Sequence, residues 1–330
     1  MRRSERWNGM KNERLNALAR LMTWLGAVGA LLAVVLRVWV IPSQRDIDTG
    51  LFATNVPVIG LMLAALAALG ALVFLMRGHP RREIVGRPAL TLSMVTLIVG
   101  GGLILHGIAE AAARMGWVTF YSVTTAYWDE KLALVQVVMP WVQTVLSLLG
   151  GAALVSFGMH LASEGGTRRG ITKAGLLLPV LWMWFVLANY MMSFVSMVRI
   201  TDGFFTLAAY IMELLFLYRF ACYMVGFGRS DVGTLLFFSN GAALFALSSP
   251  LVRLLMHLLG DVEATAAAGN TGMPDFLVGV LALTVSITLC QSLSVPSTPA
   301  EEEPEWVDSD ELPSDVALID EADAADFIEE

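Results

Sequence analysis

The sequence predicts an all-α protein, a polytopic bundle of about eight transmembrane helices. Three observations predict this class: few charged residues, many apolar residues, and the division of the apolar residues into long runs. Of 330 residues, 15% are charged and 56% are hydrophobic, whereas a soluble domain has about 25% charged and about 45–50% apolar residues. The mean hydropathy is +0.67. A globular interior cannot bury that much apolar surface, but a bilayer accommodates it.

Eight apolar runs are long enough to cross a membrane, because a span needs about 20 mainly apolar residues. They lack the period-two alternation of a transmembrane β-barrel, so we predict helices. The runs cover residues 18–41, 54–76, 88–110, 132–161, 174–198, 204–227, 232–257 and 274–292. The last run is short and contains Ser286, Thr288 and Gln291, so it is the span that the sequence supports least.

Basic residues alternate between the two sides of the predicted bundle. Most of the Lys and Arg residues precede the first span or lie in the loops after the second, fourth and sixth spans. They are Arg2, Arg3, Arg6, Lys11, Arg14 and Arg20, then Arg77, Arg81, Arg82 and Arg87, then Arg168, Arg169 and Lys173, then Arg229. Cytoplasmic loops are enriched in Lys and Arg, so we predict a plasma-membrane protein with both termini in the cytoplasm.

Composition divides the chain into three parts. Residues 1–17 are a basic cytoplasmic N-terminal segment, residues 18–293 are the transmembrane bundle, and residues 294–330 are an acidic tail. The tail holds about half of the 29 acidic residues and no Lys or Arg, which predicts a disordered cytoplasmic segment. Residues 314–330 are interpreted either as a docking motif for a basic cytosolic protein or as a solvating tail. The predicted partners are the lipid bilayer and that protein, with no nucleic acid.

Two similar segments indicate a candidate internal duplication. Residues 45–52 (RDIDTGLF) follow the first span and residues 199–205 (RITDGFF) follow the fifth, and both contain an Arg, an Asp, a Gly and a Phe. Four spans per half would give both halves one orientation, a parallel four-plus-four repeat. Asp-Gly turns also recur in unrelated loops, so both interpretations stay open.

Polar residues in the middle of the spans define a first candidate site, because an ionisable group at mid-bilayer costs about 2.5–3.5 kcal/mol on insertion scales. Glu213 and Arg219 lie six residues apart in the sixth span, about 120° apart around a helix, so each needs a partner elsewhere. The candidate intramembrane site comprises Glu213, Arg219, Asn189, Tyr190 and Asn240. Either these groups hold helices together, or they line a polar cavity that binds a solute or relays protons.

A second candidate is a polar stripe near the predicted outer surface. His106, Glu110 and Arg114 are spaced four residues apart, and so are Arg253 and His257, so each set shares one helix face. Arg37, one turn from the outer end of the first span, is expected to extend its charge to the interface.

No catalytic motif occurs: the sequence has no Walker A, GxGxxG, HExxH or GxSxG pattern. Cys222 and Cys290 lie in apolar runs without metal-type spacing. We therefore predict no enzyme activity, no cofactor and no metal. Apolar spans, basic inner loops and an acidic tail together make the chain resemble uncharacterised multi-pass membrane proteins of Gram-positive bacteria. That resemblance implies a bacterial cell-membrane protein and implies no activity.

Two functions follow from this pattern. The first is a non-enzymatic membrane component, such as a regulator, scaffold or assembly factor, favoured by the lack of motifs. The second is a small secondary transporter or permease with a polar mid-membrane site, favoured by Glu213 and Arg219 within one span.

Overall fold

The computed structural model describes residues 2–43, 56–76, 84–117, 133–164, 175–194, 200–226, 231–260 and 272–294. They form eight helices, one over each predicted run, which confirms the all-α class. The helices are α1 Arg2–Ser43, α2 Val56–Leu75, α3 Arg87–Arg114, α4 Ala133–Glu164, α5 Leu177–Phe194, α6 Ile200–Val225, α7 Val232–Leu258 and α8 Met273–Ser294. The acidic tail, with the docking motif predicted at 314–330, lies outside the described residues.

Seven of these helices, all except α5, are long and apolar enough to cross a membrane. Helix α8 has 22 residues and a mean hydropathy of 2.0, so the run that the sequence supported least has spanning length. Helix α5 is shorter than the predicted 174–198, and its 18 residues rise about 27 Å, slightly less than a hydrocarbon core of about 30 Å. The chain is a multi-pass membrane protein.

Helix α1 is much longer than its predicted span. Its 42 residues rise about 63 Å, roughly twice the thickness of the hydrocarbon core. Residues 2–17 of the predicted basic segment form the first part of this helix, continuous with the apolar run that follows.

Helix α7 lies at the centre of the bundle. It packs against α1, α2, α6 and α8. Of the apolar stretch of α7, 72% is buried inside the protein, whereas the corresponding share for α2 is 17%. Helix α3 packs against α4 and α8, and α5 packs against α4 and α6. Helix α8 also packs directly against α1 and α6, so side chains from α1, α6, α7 and α8 meet in the interior of the bundle.

The packing does not show the four-plus-four repeat. A repeat would make α3 the counterpart of α7, yet α7 is central while α3 packs mainly against α4 and α8. The first of the two similar segments, residues 45–52, lies outside the described residues. The duplication stays a prediction.

The closest helix pair, α3 and α4, is antiparallel and joined by small residues at seven-residue intervals. Ser93 Oγ donates to the carbonyl of Gly158 at 2.6 Å, and Gly100 lies opposite Gly151 two turns further along α3. A Cβ on Gly100 would lie 2.7 Å from the Gly151 carbonyl oxygen, and one on Gly151 would lie 2.6 Å from that of Gly100. Lipid tails are as apolar as Leu side chains, so small residues that allow such close approach hold membrane helices together.

We expect Gly100→Ala to destabilise the protein by about 1–3 kcal/mol, because the added methyl forces the two backbones apart. Gly101→Ala is the matched control, since a Cβ at Gly101 meets nothing within 4 Å. The measurement is the free energy of unfolding of the purified protein in detergent. Equal losses in the two variants would contradict this account of the α3–α4 interface.

Candidate functional site

Glu213 lies in the interior of the bundle, midway along α6. Its side chain is 0% exposed, and neither carboxylate oxygen has a hydrogen-bond partner among the described residues. The sequence placed Glu213 at mid-span and left its orientation open, and in the structure its side chain is enclosed by protein. An ionised carboxylate without donors in apolar surroundings is costly, so this group requires a proton, a cation or water.

Asp275 is a second buried carboxyl group, on α8, a helix that packs against α6. It lies in the first turn of α8, it is 4% exposed, and its Oδ2 accepts a hydrogen bond from the backbone N–H of Gly272 at 2.5 Å. Its charge interacts with that of Glu213. Sequence reasoning missed Asp275 because an acid in the first turn of a helix is ordinarily a cap. The sequence feature that could have revealed Asp275 as a membrane-buried acid is its position inside the apolar run predicted at residues 274–292.

Two tyrosines and an arginine complete this group, which we call the Glu213 cluster: Tyr190, Tyr210, Glu213, Arg253 and Asp275. Tyr210 precedes Glu213 by three residues on α6, and its ring centroid lies 5.2 Å from that of Tyr190 on α5, in an edge-on arrangement. Arg253 on α7 interacts electrostatically with both Asp275 and Tyr210. Four helices thus each contribute at least one polar side chain.

The Glu213 cluster has an excess of acidic groups. With both carboxyl groups and the guanidinium ionised and the two tyrosines neutral, it would hold two carboxylates against one guanidinium, a net charge of −1. Arg253 and the Gly272 N–H both act on Asp275, and Asp275 also lies at the N-terminus of a helix, where the dipole favours negative charge. Glu213 has no corresponding donor among the described residues.

Arg37 forms a second buried polar contact near the same end of the bundle. Its Nη1 donates to Ser249 Oγ on α7 at 2.7 Å, and its guanidinium carbon lies 4.7 Å from the ring centroid of Phe205 on α6. The side chain is 0% exposed, so the expectation that Arg37 extends to the interface was wrong. A hydroxyl and an aromatic face inside the protein replace the interfacial water.

The other predicted intramembrane residues, Tyr190 excepted, have contacts outside the Glu213 cluster. Arg219 is half-buried, with its guanidinium carbon 5.9 Å from the ring centroid of Tyr218. Asn189 Nδ2 donates to Gln143 Oε1 on α4 at 3.2 Å. Asn240 Nδ2 donates to the carbonyl of Leu236 at 2.8 Å, and its Oδ1 sits so close to Gly26 of α1 that a Cβ there would overlap it. Of these residues, Tyr190 alone belongs to the Glu213 cluster.

The predicted stripe on α3 is present as a local ion pair. Arg114 Nη2 donates to Glu110 Oε1 at 2.5 Å, and His106 Nε2 lies 4.0 Å from Glu110 Oε2. These three residues follow one face of α3, as their spacing predicted. Arg253, predicted to belong with such outer residues, instead contributes to the Glu213 cluster, and His257 is exposed. No group of three or more His, Cys, Asp or Glu side chains within the described helices is placed to hold a metal ion.

Comparison of the chain with protein families, curated proteins and solved structures gives no match. The Glu213 cluster therefore has to be interpreted from its own chemistry.

We expect Ser249→Ala to destabilise the protein by about 1–3 kcal/mol, because it removes the acceptor of a charged and fully buried donor. Ser248→Ala is the matched control. Ser248 is equally buried, but its hydroxyl donates within its own helix, to the carbonyl of Phe245 at 2.9 Å. Thermal unfolding of the two purified variants measures the difference. A loss at Ser248 as large as that at Ser249 would show that the Arg37 contact contributes little.

Proposed function

We propose that this protein is a small secondary carrier whose coupling group is the Glu213 carboxyl. The observation that carries the proposal is the complete burial of Glu213 without a hydrogen-bond donor among the described residues. Ionisable groups inside membrane bundles are costly and typically belong to ion pathways or proton relays. In a carrier, such a group binds a proton or an ion from one side of the membrane and releases it to the other side.

A scaffold or regulator gains nothing from this arrangement. A carboxyl that accepts no hydrogen bond from neighbouring helices does not hold them together, and an apolar side chain of similar size would fill the same space at lower cost. The structural polar contacts of this bundle have a different form, as in the Glu110–Arg114 pair at 2.5 Å. The Glu213 cluster therefore favours the carrier over the non-enzymatic scaffold, and the proposal includes no enzymatic step.

A proline beside the Glu213 cluster supports the same proposal. Pro250 lies inside α7, between Ser249 and Arg253. Proline has no N–H, so the carbonyl of Ala246 loses its usual helical donor and the helix is weakened there. Helix α7 is continuous through Pro250, and a lost backbone hydrogen bond at this position makes it the point at which the helix can bend most easily.

We further propose that the carrier lies in the plasma membrane of a bacterium with both termini in the cytoplasm. The basic residues before α1 and in alternate loops support this orientation. It would place the acidic tail, and any protein that binds residues 314–330, on the cytoplasmic side.

The carrier proposal predicts that position 213 reaches water in at least one conformation. Cys222 and Cys290, the two cysteines of the chain, are replaced by alanine, and Glu213→Cys is introduced into the full-length protein. We expect a small water-soluble methanethiosulfonate reagent to label this cysteine in liposomes, because only a hydrated thiol ionises and reacts. The extent of labelling over time is measured by mass spectrometry.

Ala243→Cys is the matched control, since Ala243 is also 0% exposed and lies in the central helix without a polar cluster. Faster labelling at position 213 than at position 243, with unfolding temperatures equal, is the expected result. Equally slow labelling at both positions would contradict the carrier proposal and would favour the non-enzymatic scaffold or regulator.

The orientation is tested with reporters fused to the C-terminus of the intact chain. We expect a C-terminal green fluorescent protein to be fluorescent and a C-terminal alkaline phosphatase to be inactive, because the phosphatase forms its disulfides only outside the cytoplasm. A phosphatase fused after Trp117 is the control and should be active, since the segment after α3 is predicted to lie outside. An active C-terminal phosphatase would place the acidic tail outside and exclude its docking to a cytosolic protein.

A further inference from the structure

We infer that Glu213 and Asp275 act as one site for a single exchangeable proton, with Arg253 balancing the second negative charge. This inference rests on the proposed carrier and names its coupling ion. The site is not merely a pair of acids, because Glu213 is wholly buried and its two carboxylate oxygens have no hydrogen-bond donor among the described residues.

The charge of the Glu213 cluster determines how many protons it needs. Two carboxylates and one guanidinium leave one negative charge, which a single proton neutralises. Asp275 accepts a hydrogen bond from the backbone N–H of Gly272 at 2.5 Å, whereas neither carboxylate oxygen of Glu213 has a donor among the described residues. Glu213 is therefore the carboxyl that is left to hold the proton in the closed, buried conformation.

The titratable groups around this part of α6 come from each helix that packs against it. Asp275 on α8 interacts with the charge of Glu213 itself, whereas Tyr190 on α5 and Arg253 on α7 interact with Tyr210, one turn away on α6. Arg37 on α1 lies over Phe205, two turns earlier on α6. The aromatic contact between Tyr190 and Tyr210 links the turn that bears Glu213 to α5, so a change at Glu213 can reach a neighbouring helix through rigid rings.

A proton fits this site better than a metal cation. An alkali ion needs a shell of oxygen atoms in place of its water, and a guanidinium within the same cluster opposes its binding. No group of three or more acidic, His or Cys side chains in the described part of the chain is arranged for a metal. A proton needs only one carboxylate oxygen.

Loss of this proton favours an open conformation. The deprotonated cluster would hold two mutually repelling carboxylates in a low-dielectric interior, where their repulsion is far stronger than in water. Water has to reach Glu213 before the proton can leave at low cost. Deprotonation and opening are therefore coupled, which is what a proton-driven carrier requires.

The inference is tested by carbodiimide labelling of the full-length protein in liposomes. A hydrophobic carbodiimide adds to a protonated carboxyl group within the membrane, and mass spectrometry of the peptides identifies the modified residue. We expect modification at Glu213 that declines as the pH is raised, and none in Glu213→Gln. Glu110 is the internal control and should stay unmodified, because its Oε1 already accepts a hydrogen bond from Arg114 Nη2 at 2.5 Å.

Asp275→Asn tests whether the two carboxyls share one proton. Removal of the neighbouring negative charge should lower the midpoint pH of Glu213 labelling by about one pH unit or more. Arg253→Gln should raise that midpoint, because it removes the positive charge. An unchanged midpoint in both variants, with folding intact, would show that Glu213 titrates independently and would overturn the shared site.

Two further outcomes are decisive. Suppression of labelling by sodium at constant pH would show that the site binds an alkali cation, and would overturn the assignment of a proton. No labelling of Glu213 at any pH, in protein that still unfolds cooperatively, would overturn the inference. The two proposals can fail separately, because carbodiimide labelling does not depend on transport. If Glu213→Cys reacts with the water-soluble reagent but Glu213 never reacts with the carbodiimide, the carrier stands and the proton site fails. If Glu213 reacts with the carbodiimide but Glu213→Cys stays unlabelled, the proton site stands and the carrier fails.

Discussion

The absence of water inside the bilayer is the constraint on which this structure depends, because every polar group there must find its partner within the protein. Most hydroxyls do so on their own helix, as Thr23 does with the carbonyl of Ala19 and Thr284 with that of Val280. Others connect two helices, as Ser239 and Ser286 do between α7 and α8 at 2.6 Å. Glu213 departs from this pattern with both of its carboxylate oxygens, which have no hydrogen-bond partner among the described residues, and its chemistry is therefore attributed to function and not to packing.

The helices of this protein could be predicted well because each one follows from local composition. Eight apolar runs became eight helices, including the run at 274–292 that contains Ser286 and Thr288. Both of these hydroxyls are buried, with Ser286 bonded across to α7 and Thr288 to the carbonyl of Val285. The stripe from His106 to Arg114 was predictable for the same reason, since its partners lie on a single helix.

The cluster around Glu213 could be predicted only in part, because it depends on how four helices are rotated against each other. The six-residue spacing correctly separated Glu213 from Arg219, but it gave no information about the partners on α5, α7 and α8. Asp275 was hidden by the ordinary role of acids in the first turn of a helix. Arg253 was grouped with the outer residues because its interactions with Tyr210 on α6 and Asp275 on α8 join segments that are distant in sequence.

The contact between Arg37 and Ser249 has a consequence for biosynthesis. The two residues are 212 positions apart, and at about 5–20 residues per second the ribosome needs roughly 10–40 s to make the second after the first. During that interval α1 is already in the membrane without α6 or α7, and Arg37 must keep its charge at the lipid–water interface. Its burial is thus a late event of assembly, which draws the end of α1 inward only after the C-terminal half of the chain arrives.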